Sequence, residues 1–310
     1  MANKTEDKEL GFGTKTSAQK TRLINPDGSF NIKRIEQSRW NSTSIYHALI
    51  SMSWLKFNLI IFCYFIVINL IFAVTYYFAG LEGLRGIEGE TEIDKFLEAF
   101  FFSTQTVSTV GFGRLSPGSH SISIIAAIES LVGLLGFAIV TGVIYGRFSR
   151  PKARIIFSKK AIVAPFKDGA AFQFRIANKM RNSQISDIEA RVTVAKLELE
   201  NGVLIRRFRP LELEIKKIIF FPMTWTINHP IDENSPLYGM TAKDLLESDA
   251  EFMILLSGFD DTFSQTVSSR FSYTQEEVAY GAKFISVFGQ NAEGQTTQDL
   301  NKISDYEIIK

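Results

Sequence analysis

The sequence has almost no cysteine: Cys63 is the only one among 310 residues. No disulfide can form within the chain, which excludes the small secreted scaffolds held by such bridges and fits a cytosolic or membrane setting better. Net charge is nearly absent too. Lys and Arg number 34 against 33 Asp and Glu, a balance of +1 that argues against a nucleic-acid binder working through a broad basic surface. Histidine is scarce, and His47, His120 and His229 stand in separate regions without metal-ligand spacing or a nucleophile–base motif beside them. No enzyme is expected. A GxGxxG turn between strand and helix is missing, so a nucleotide-binding domain of that kind is not expected either. The opening stretch MANKTEDKELGFGTKTSAQK holds no apolar run behind a basic start, so it does not read as a cleaved signal peptide. The length suggests about two domains.

What the chain does have is two long apolar runs. Residues 57–79, FNLIIFCYFIVINLIFAVTYYFA, carry no charge, and residues 122–145, ISIIAAIESLVGLLGFAIVTGVIY, carry one, at Glu129. A helix needs about 20 residues to cross the hydrocarbon core, so each run is read as a span. Buried helices of a large soluble protein rarely run this far without polar breaks. Residues 80–120 hold Arg85, Lys95 and Arg114 against Glu82, Glu88, Glu90, Glu92, Asp94 and Glu98. The second run is followed by Arg147, Arg150, Lys152, Arg154, Lys159 and Lys160 with no acid among them. Basic flanks stay in the cytoplasm, so both termini are expected on the inner side of the cell membrane and 80–120 outside. Ahead of the first run, STSIYHALISMSW places Ile45, Leu49 and Met52 on one helical face. Residues 39–55 are therefore expected as a slide helix in the membrane interface, anchored by Trp54, although a polar start of the first span has the same pattern.

Between the spans, residues 96–108 are apolar and helix-compatible but only about 13 long, too short to cross. They must be re-entrant or lie at the surface. Non-helical backbone at membrane depth is tolerated only where it is buried in protein or lines a water-filled cavity. Residues 109–113, TVGFG, must therefore leave the helix where something replaces the lost hydrogen bonds, and a line of cations can do that for carbonyl oxygens. Alternating carbonyls toward one axis needs backbone conformations closed to residues with a Cβ, which is a physical reason for Gly111 and Gly113.

In this setting TVGFG resembles the selectivity filter of potassium channels. The resemblance implies that the carbonyls of Thr109, Val110, Gly111, Phe112 and Gly113, with the Thr109 hydroxyl, replace the hydration shell of K+ as the permeant ligand, with no organic cofactor. One chain offers one strand of carbonyls, so the family implies a homotetramer around the pore axis. Three residues depart from the family pattern. Phe112 stands where most such filters have Tyr, Arg114 where many bacterial channels have Asp, and Gln105 where inward rectifiers usually carry Glu. None removes a coordinating carbonyl, so K+ selectivity is expected to survive while conductance and filter stability are put in question.

Stepping by four along the second run from Gly133 reaches Phe137, Thr141 and Tyr145, a stripe that can face the pore. Tyr145, last before the basic flank, can close a hydrophobic constriction or sit as an interfacial anchor. Gly133, Gly136, Gly142 and Gly146 permit either bending or close packing. Rotation by about 100° per residue turns Glu129 away from Tyr145, so this carboxylate is expected to support the filter from behind, a role given also to Gln105.

Past residue 150 the pattern changes to short runs rich in β-branched and aromatic residues, with clear alternation in RVTVAKLEL and one short helix at TAKDLLES capped by Thr241. A β-sandwich is expected. SRPKARIIFS after the second run and NHPIDENSPLYG at 228–239 resemble the inward-rectifier potassium channels, particularly their prokaryotic KirBac-type members. The resemblance covers about residues 40–288. It implies a membrane α-helical two-span pore domain at 56–149 (spans 57–79 and 120–148, pore helix 96–108, filter 109–113) and a cytoplasmic all-β immunoglobulin-like sandwich at 150–288 that extends the pore. Residues 1–38 are left as a cytoplasmic N-terminal segment and 289–310 as a polar tail, mobile or loosely attached, with no role assigned.

By position in that family, Phe137 and Tyr145 match the inner-cavity and bundle-crossing sites. Gly258, Phe259, Ser264 and Gln265 match the loop of a second, cytoplasmic constriction. Arg150, Lys152 and Arg154 fall on the linker that meets anionic phospholipids, where a basic residue is worth about 1 kcal/mol; ordinary positive-inside flanking accounts equally well for Arg147 but less well for the Arg-Pro-Lys match. Strong rectification in the family relies on an inner-cavity acid that attracts intracellular Mg2+ or polyamine blockers. Phe137 and Ala138 supply none, so weak rectification at most is expected. A non-conducting scaffold and a nonselective cation channel are the competing readings; absent K+ flux would mark the first, and the intact TVG-aromatic-G order discourages the second.

Overall fold

The structure, a computed structural model, describes residues 21–32, 44–149, 153–179, 185–200 and 202–309. They fall into two units, one within Ile35–Arg150 and one joining Met1–Arg34 to Pro151–Lys310.

The first unit is helical. Helix α1 (Ile45–Ser51) starts at Ser44, whose side chain accepts the His47 amide. It is shorter than the interfacial helix expected at 39–55, of which residues 39–43 lie outside the described residues. Its buried residue is Ile50, packed with Phe57 and Val143. Helix α2 (Trp54–Ala79) begins three positions before the uncharged run, behind Ser53, and ends at Gly80 with φ of +98°. Helix α4 (His120–Phe148) has 29 residues against 26 in α2, and both exceed the span requirement. Much of their surface is exposed apolar side chain, including Leu55, Phe62, Phe78, Leu131 and Ile139.

Between them lie a two-residue ladder of β1 (Leu84–Arg85) with β2 (Ser116–Pro117), and helix α3 (Glu92–Val107). Helix α3 starts four residues earlier than the apolar pattern suggests. The reason is a capping box: Thr91 Oγ1 accepts the Asp94 amide at 3.2 Å and Asp94 accepts the Thr91 amide at 3.2 Å, so polar residues form the first turn. The Thr91 hydroxyl, which donates to the Asp94 carboxylate at 2.6 Å, and then the Thr91 amide hold that carboxyl below its ordinary pKa. Ala73 and Tyr76 of α2, Ala99 and Phe102 of α3, and Ile122 and Ala126 of α4 make the core where the three helices meet.

The second unit is a sandwich of two five-stranded sheets. Its strands are β3 (Ile155–Phe157), β4 (Ala161–Phe166), β5 (Gly169–Asn178), β6 (Ile185–Glu200), β7 (Val203–Leu211), β8 (Lys217–Phe220), β9 (Trp225–Ile231), β10 (Glu251–Asp260), β11 (Gln265–Thr274) and β12 (Val278–Tyr280). One sheet runs β11-β10-β6-β7 with β8 also on β6; the other runs β12-β4-β5-β3 with β9 on β5. Alternation builds the core: Phe252, Ile254 and Leu256 of β10 point inward toward Phe172, Phe174 and Ile176 of β5, and the Phe172 and Phe252 rings stack at 4.2 Å. Helix α5 (Ala242–Glu247) is capped by Thr241 as expected.

The ends of the chain add to this unit. Leu23 and Ile24 are buried with Ala195, Phe208 and Met253, and the two carboxylate oxygens of buried Glu251 accept their amides at 2.7 and 3.0 Å. The segment 289–310, read from sequence as a loose polar tail, is ordered differently. Strand β13 (Ala282–Phe284) pairs with β16 (Tyr306–Ile308), β14 (Phe288–Gln290) with β15 (Thr296–Gln298), and Ile303 is buried. Polar composition hid this because the anchors are single apolar residues and backbone hydrogen bonds.

Candidate functional site

Helix α3 ends at Val107, and the chain then enters an unusual backbone. Thr109, Gly111 and Gly113 have φ of +61°, +55° and +87°. Glycine tolerates this, but a β-branched Thr there is strained, which marks the segment as held by its surroundings. The holding groups come from the helix. The Val110 and Gly111 amides donate to the Gln105 carbonyl at 2.9 and 3.3 Å, and the Phe112 amide donates to Gln105 Oε1 at 3.0 Å. The Ser108 and Thr109 amides turn back to Thr104 and Thr106. Among the described residues, no donor reaches the carbonyls of 109–113. The amides of residues 109–112 are consumed by α3, while the carbonyls of 109–113 are left without a described donor.

A second, fully buried cluster ties the three helices together. The Glu129 carboxylate of α4 accepts from Tyr76 OH of α2 and from Ser103 Oγ of α3, and Ser103 Oγ lies 2.9 Å from Asn69 Oδ1 of α2. The Ser103 hydroxyl has one proton, so it serves one acceptor at a time. Sequence reading found Glu129 and Gln105 but missed Asn69, Tyr76 and Ser103; a polar atom inside an apolar run was the available signal.

On α4 the stripe does not stay on one face. Phe137 and Tyr145 are each 73% exposed in the single chain, and Thr141 is exposed beside them. Gly133 is buried, and a Cβ there would lie 2.5 Å from the Val107 carbonyl oxygen. Each step of four along the helix advances about 40°, so Gly133, which packs on the end of α3, points in a different direction from Tyr145, while it still lines a cavity together with Phe137 and Thr109. Gly136 abuts Tyr64 of α2 and Gly146 abuts Tyr46 of α1, whereas a Cβ at Gly142 would meet nothing within 4 Å. Arg147, read as part of the basic flank, donates to the Leu49 and Met52 carbonyls and sits 4.5 Å from the Trp54 and Phe57 ring centroids.

In the sandwich, Gly258, Phe259, Ser264 and Gln265 come together as the tip of the β10–β11 hairpin. Gly258 pairs with Val267, Phe259 with Thr266 and Asp260 with Gln265, and Ser264 turns at φ of +50°. Asp260 Oδ1 accepts the Thr262 and Phe263 amides, which closes the turn. Of the three linker cations, Arg150 and Lys152 lie outside the described residues; Arg154 is exposed, and its carbonyl accepts the Lys179 amide. His229 is buried, with Nδ1 2.6 Å from the Glu212 carbonyl and Nε2 2.8 Å from Ser235 Oγ.

Comparison with known proteins adds family-level information. Residues 155–310 match the inward rectifier potassium channel C-terminal domain, and residues 40–150 match the ion channel family. The chain is 35% identical over 298 residues to the inward rectifier potassium channel Kirbac3.1 of Paramagnetospirillum magnetotacticum, covering 94% of this chain and 98% of that one. It is 27% identical over 315 residues to the ATP-sensitive inward rectifier potassium channel 8 of Homo sapiens, covering 92% and 74%. A solved structure of the sporulation control protein Spo0M from Bacillus subtilis overlaps with a TM-score of 0.23 at 10% identity, over 42% of this chain and 50% of that one, a score too low to bear on the fold.

Proposed function

The chain belongs to the inward rectifier potassium channel family, an ion channel family and not an enzyme family, and from that premise we propose that it conducts K+ passively through the carbonyls of residues 109–113. The observation that carries this reading is the division of labour in that segment: the amides of residues 109–112 are spent on α3, and the carbonyls of 109–113 are bonded by no described donor. Carbonyls so arranged can replace the hydration shell of an ion in transit. Four chains around one axis complete the ring of oxygens, as a closed symmetric assembly requires. Gln105 and Glu129 support the filter, the first through the Phe112 amide and the second by binding α3 to α2 and α4.

Conduction is gated at two constrictions. Phe137, Thr141 and Tyr145 form the inner cavity and bundle crossing; the exposure of the two rings in the single chain supports this, since residues facing a pore find no cover in their own subunit. The β10–β11 hairpin tip, with Gly258, Phe259, Ser264 and Gln265, is the cytoplasmic constriction. Anionic phospholipids modulate the gate through Arg150, Lys152 and Arg154. The protein resides in the inner membrane with both termini cytoplasmic, in line with the acidic 80–120 segment and the basic flank after α4. Intracellular Mg2+ and polyamines block it weakly, because no acid stands at Phe137 or Ala138.

Flux into liposomes tests the proposal. Purified protein is reconstituted with and without anionic lipid, and uptake of K+, Rb+ and Na+ is compared. Uptake of K+ and Rb+ with little Na+ is the expected result, with a rate that depends on the anionic lipid. Equal Na+ uptake would sink the selective filter, and no flux in any lipid would favour the scaffold reading.

A further inference from the structure

Arg114 follows the filter segment directly, and its side chain is engaged. The guanidinium donates to the Gly86 carbonyl at 3.1 Å and to the carboxylate of Glu98, with Glu88 4.0 Å away. The Glu98 side chain is 19% exposed and that of Glu88 80%, so Glu98 is the firm partner. The backbone of Arg114 is pinned as well. Gly86 has φ of +87°, and a Cβ there would lie 2.0 Å from the Arg114 carbonyl oxygen. Leu115 is buried in the helical core, and the β1–β2 ladder begins at Ser116.

The position of Glu98 is informative. It lies seven residues before Gln105 on α3, a separation that returns to within about 20° of the same helical face, roughly 10 Å further along the axis. One face of one helix therefore grips the strand twice. Gln105 takes the amides of Val110, Gly111 and Phe112, and Glu98 takes the side chain of Arg114. Between those grips the strand is bare: a Cβ at Gly113 would meet nothing within 4 Å, and the Phe112 ring is 85% exposed and has no hydroxyl to bond.

We propose that Arg114 and Glu98 form a positioning pair of the conduction path, anchoring the outer end of the 109–113 strand to α3. This rests on the filter reading above. The pair also settles an electrostatic problem. A free guanidinium beside the outer end of each strand would repel an arriving cation, whereas one bonded to its own carboxylate leaves little net field.

The experiment compares four forms in liposomes: wild type, Glu98→Gln, Arg114→Gln, and the exchanged double variant Arg114→Glu with Glu98→Arg. Size-exclusion chromatography first verifies that each remains the wild-type assembly. The readout is the ratio of Rb+ to Na+ uptake. Each single substitution is expected to lower the ratio about 5-fold or more, as loss of a charge-assisted hydrogen bond repeated in every subunit should. The exchanged variant is expected to return to within about 2-fold of wild type, because restored pairing is what a coupled pair shows. An unchanged ratio in Glu98→Gln, or an exchanged variant no better than the singles, would overturn the proposal. Should Arg114→Gln fail to assemble, Glu98→Gln decides alone. Wild-type protein without selective Rb+ uptake would remove the filter reading and this inference together, while selective wild type with an unaffected Glu98→Gln removes only the inference.

Discussion

His229 shows how one side chain can be visible in a motif while its task is not. Its two ring nitrogens are occupied by the Glu212 carbonyl and the Ser235 hydroxyl. Burial pushes its pKa below the ordinary value of 6.5, against smaller opposing effects of the Glu212 carbonyl and the Asp232 and Glu212 charges. The unfolded chain therefore binds more protons than the folded one as pH drops through and below 6.5, so stability present above that value is lost as pH falls. Thermal unfolding of the detergent-solubilised protein should shift to lower temperature between about pH 7 and about pH 5. His229→Gln keeps hydrogen-bonding capacity without the titration and should flatten that slope. An identical slope in the variant would show that other groups carry it. The sequence displayed His229 inside NHPIDENSPLYG, but its partners became identifiable only when Glu212 and Ser235 were placed around it.

At the scale of elements, helix α4 separates glycines that look alike in sequence. Gly133 abuts the end of α3, Gly136 abuts α2, Gly146 abuts α1, and Gly142 touches nothing within 4 Å. Gly133→Ala forces a methyl against the Val107 carbonyl, where overpacking costs about 1–3 kcal/mol. That variant should melt at lower temperature in detergent and should disturb selectivity, since Val107 closes the helix that carries Gln105. Gly142→Ala should leave the melting temperature unchanged or raise it, because alanine is the better helix former by about 1 kcal/mol. Equal effects from the two substitutions would contradict the assignment of contacts. Helix α3 illustrates a related limit of pattern reading: apolar periodicity found its middle, while its first turn is built from Thr91, Glu92 and Asp94 through a capping box.

At the scale of the molecule, the last residues matter more than their composition suggests. Strand β16 pairs with β13, the Ile309 amide donates to the Gly281 carbonyl at 2.7 Å, and the Lys159 amide donates to Ser304 Oγ at 3.0 Å. Tyr306 packs against the cluster of Ile162, Ala164, Ala282 and Phe284. A chain truncated after residue 298 should lose about 2 kcal/mol or more of stability in the sandwich, from lost burial of Ile303 and exposure of that cluster. Urea unfolding followed by aromatic fluorescence reads this, and a midpoint equal to that of the full chain would return residues 299–310 to the status of a loose tail.

Sequence by itself determined the class of molecule. An uncharged run of about 23 residues has few outcomes other than a membrane span, because lipid offers backbone groups no partner outside a helix. Alternation in RVTVAKLEL likewise leads to strand β6, where period two places one face against a core. TVGFG between a short helix and a second span was legible because glycines at alternating sites answer a backbone requirement. Tertiary structure decided what meets what. Tyr76 and Glu129 are 53 positions apart, Ser103 and Glu129 26, and Glu98 and Arg114 16. Periodicity reports which face of one helix is apolar, but not how that helix is rotated against its neighbours. That rotation turned Gly133 onto α3, closed the buried network around Glu129 and set Glu98 within reach of Arg114.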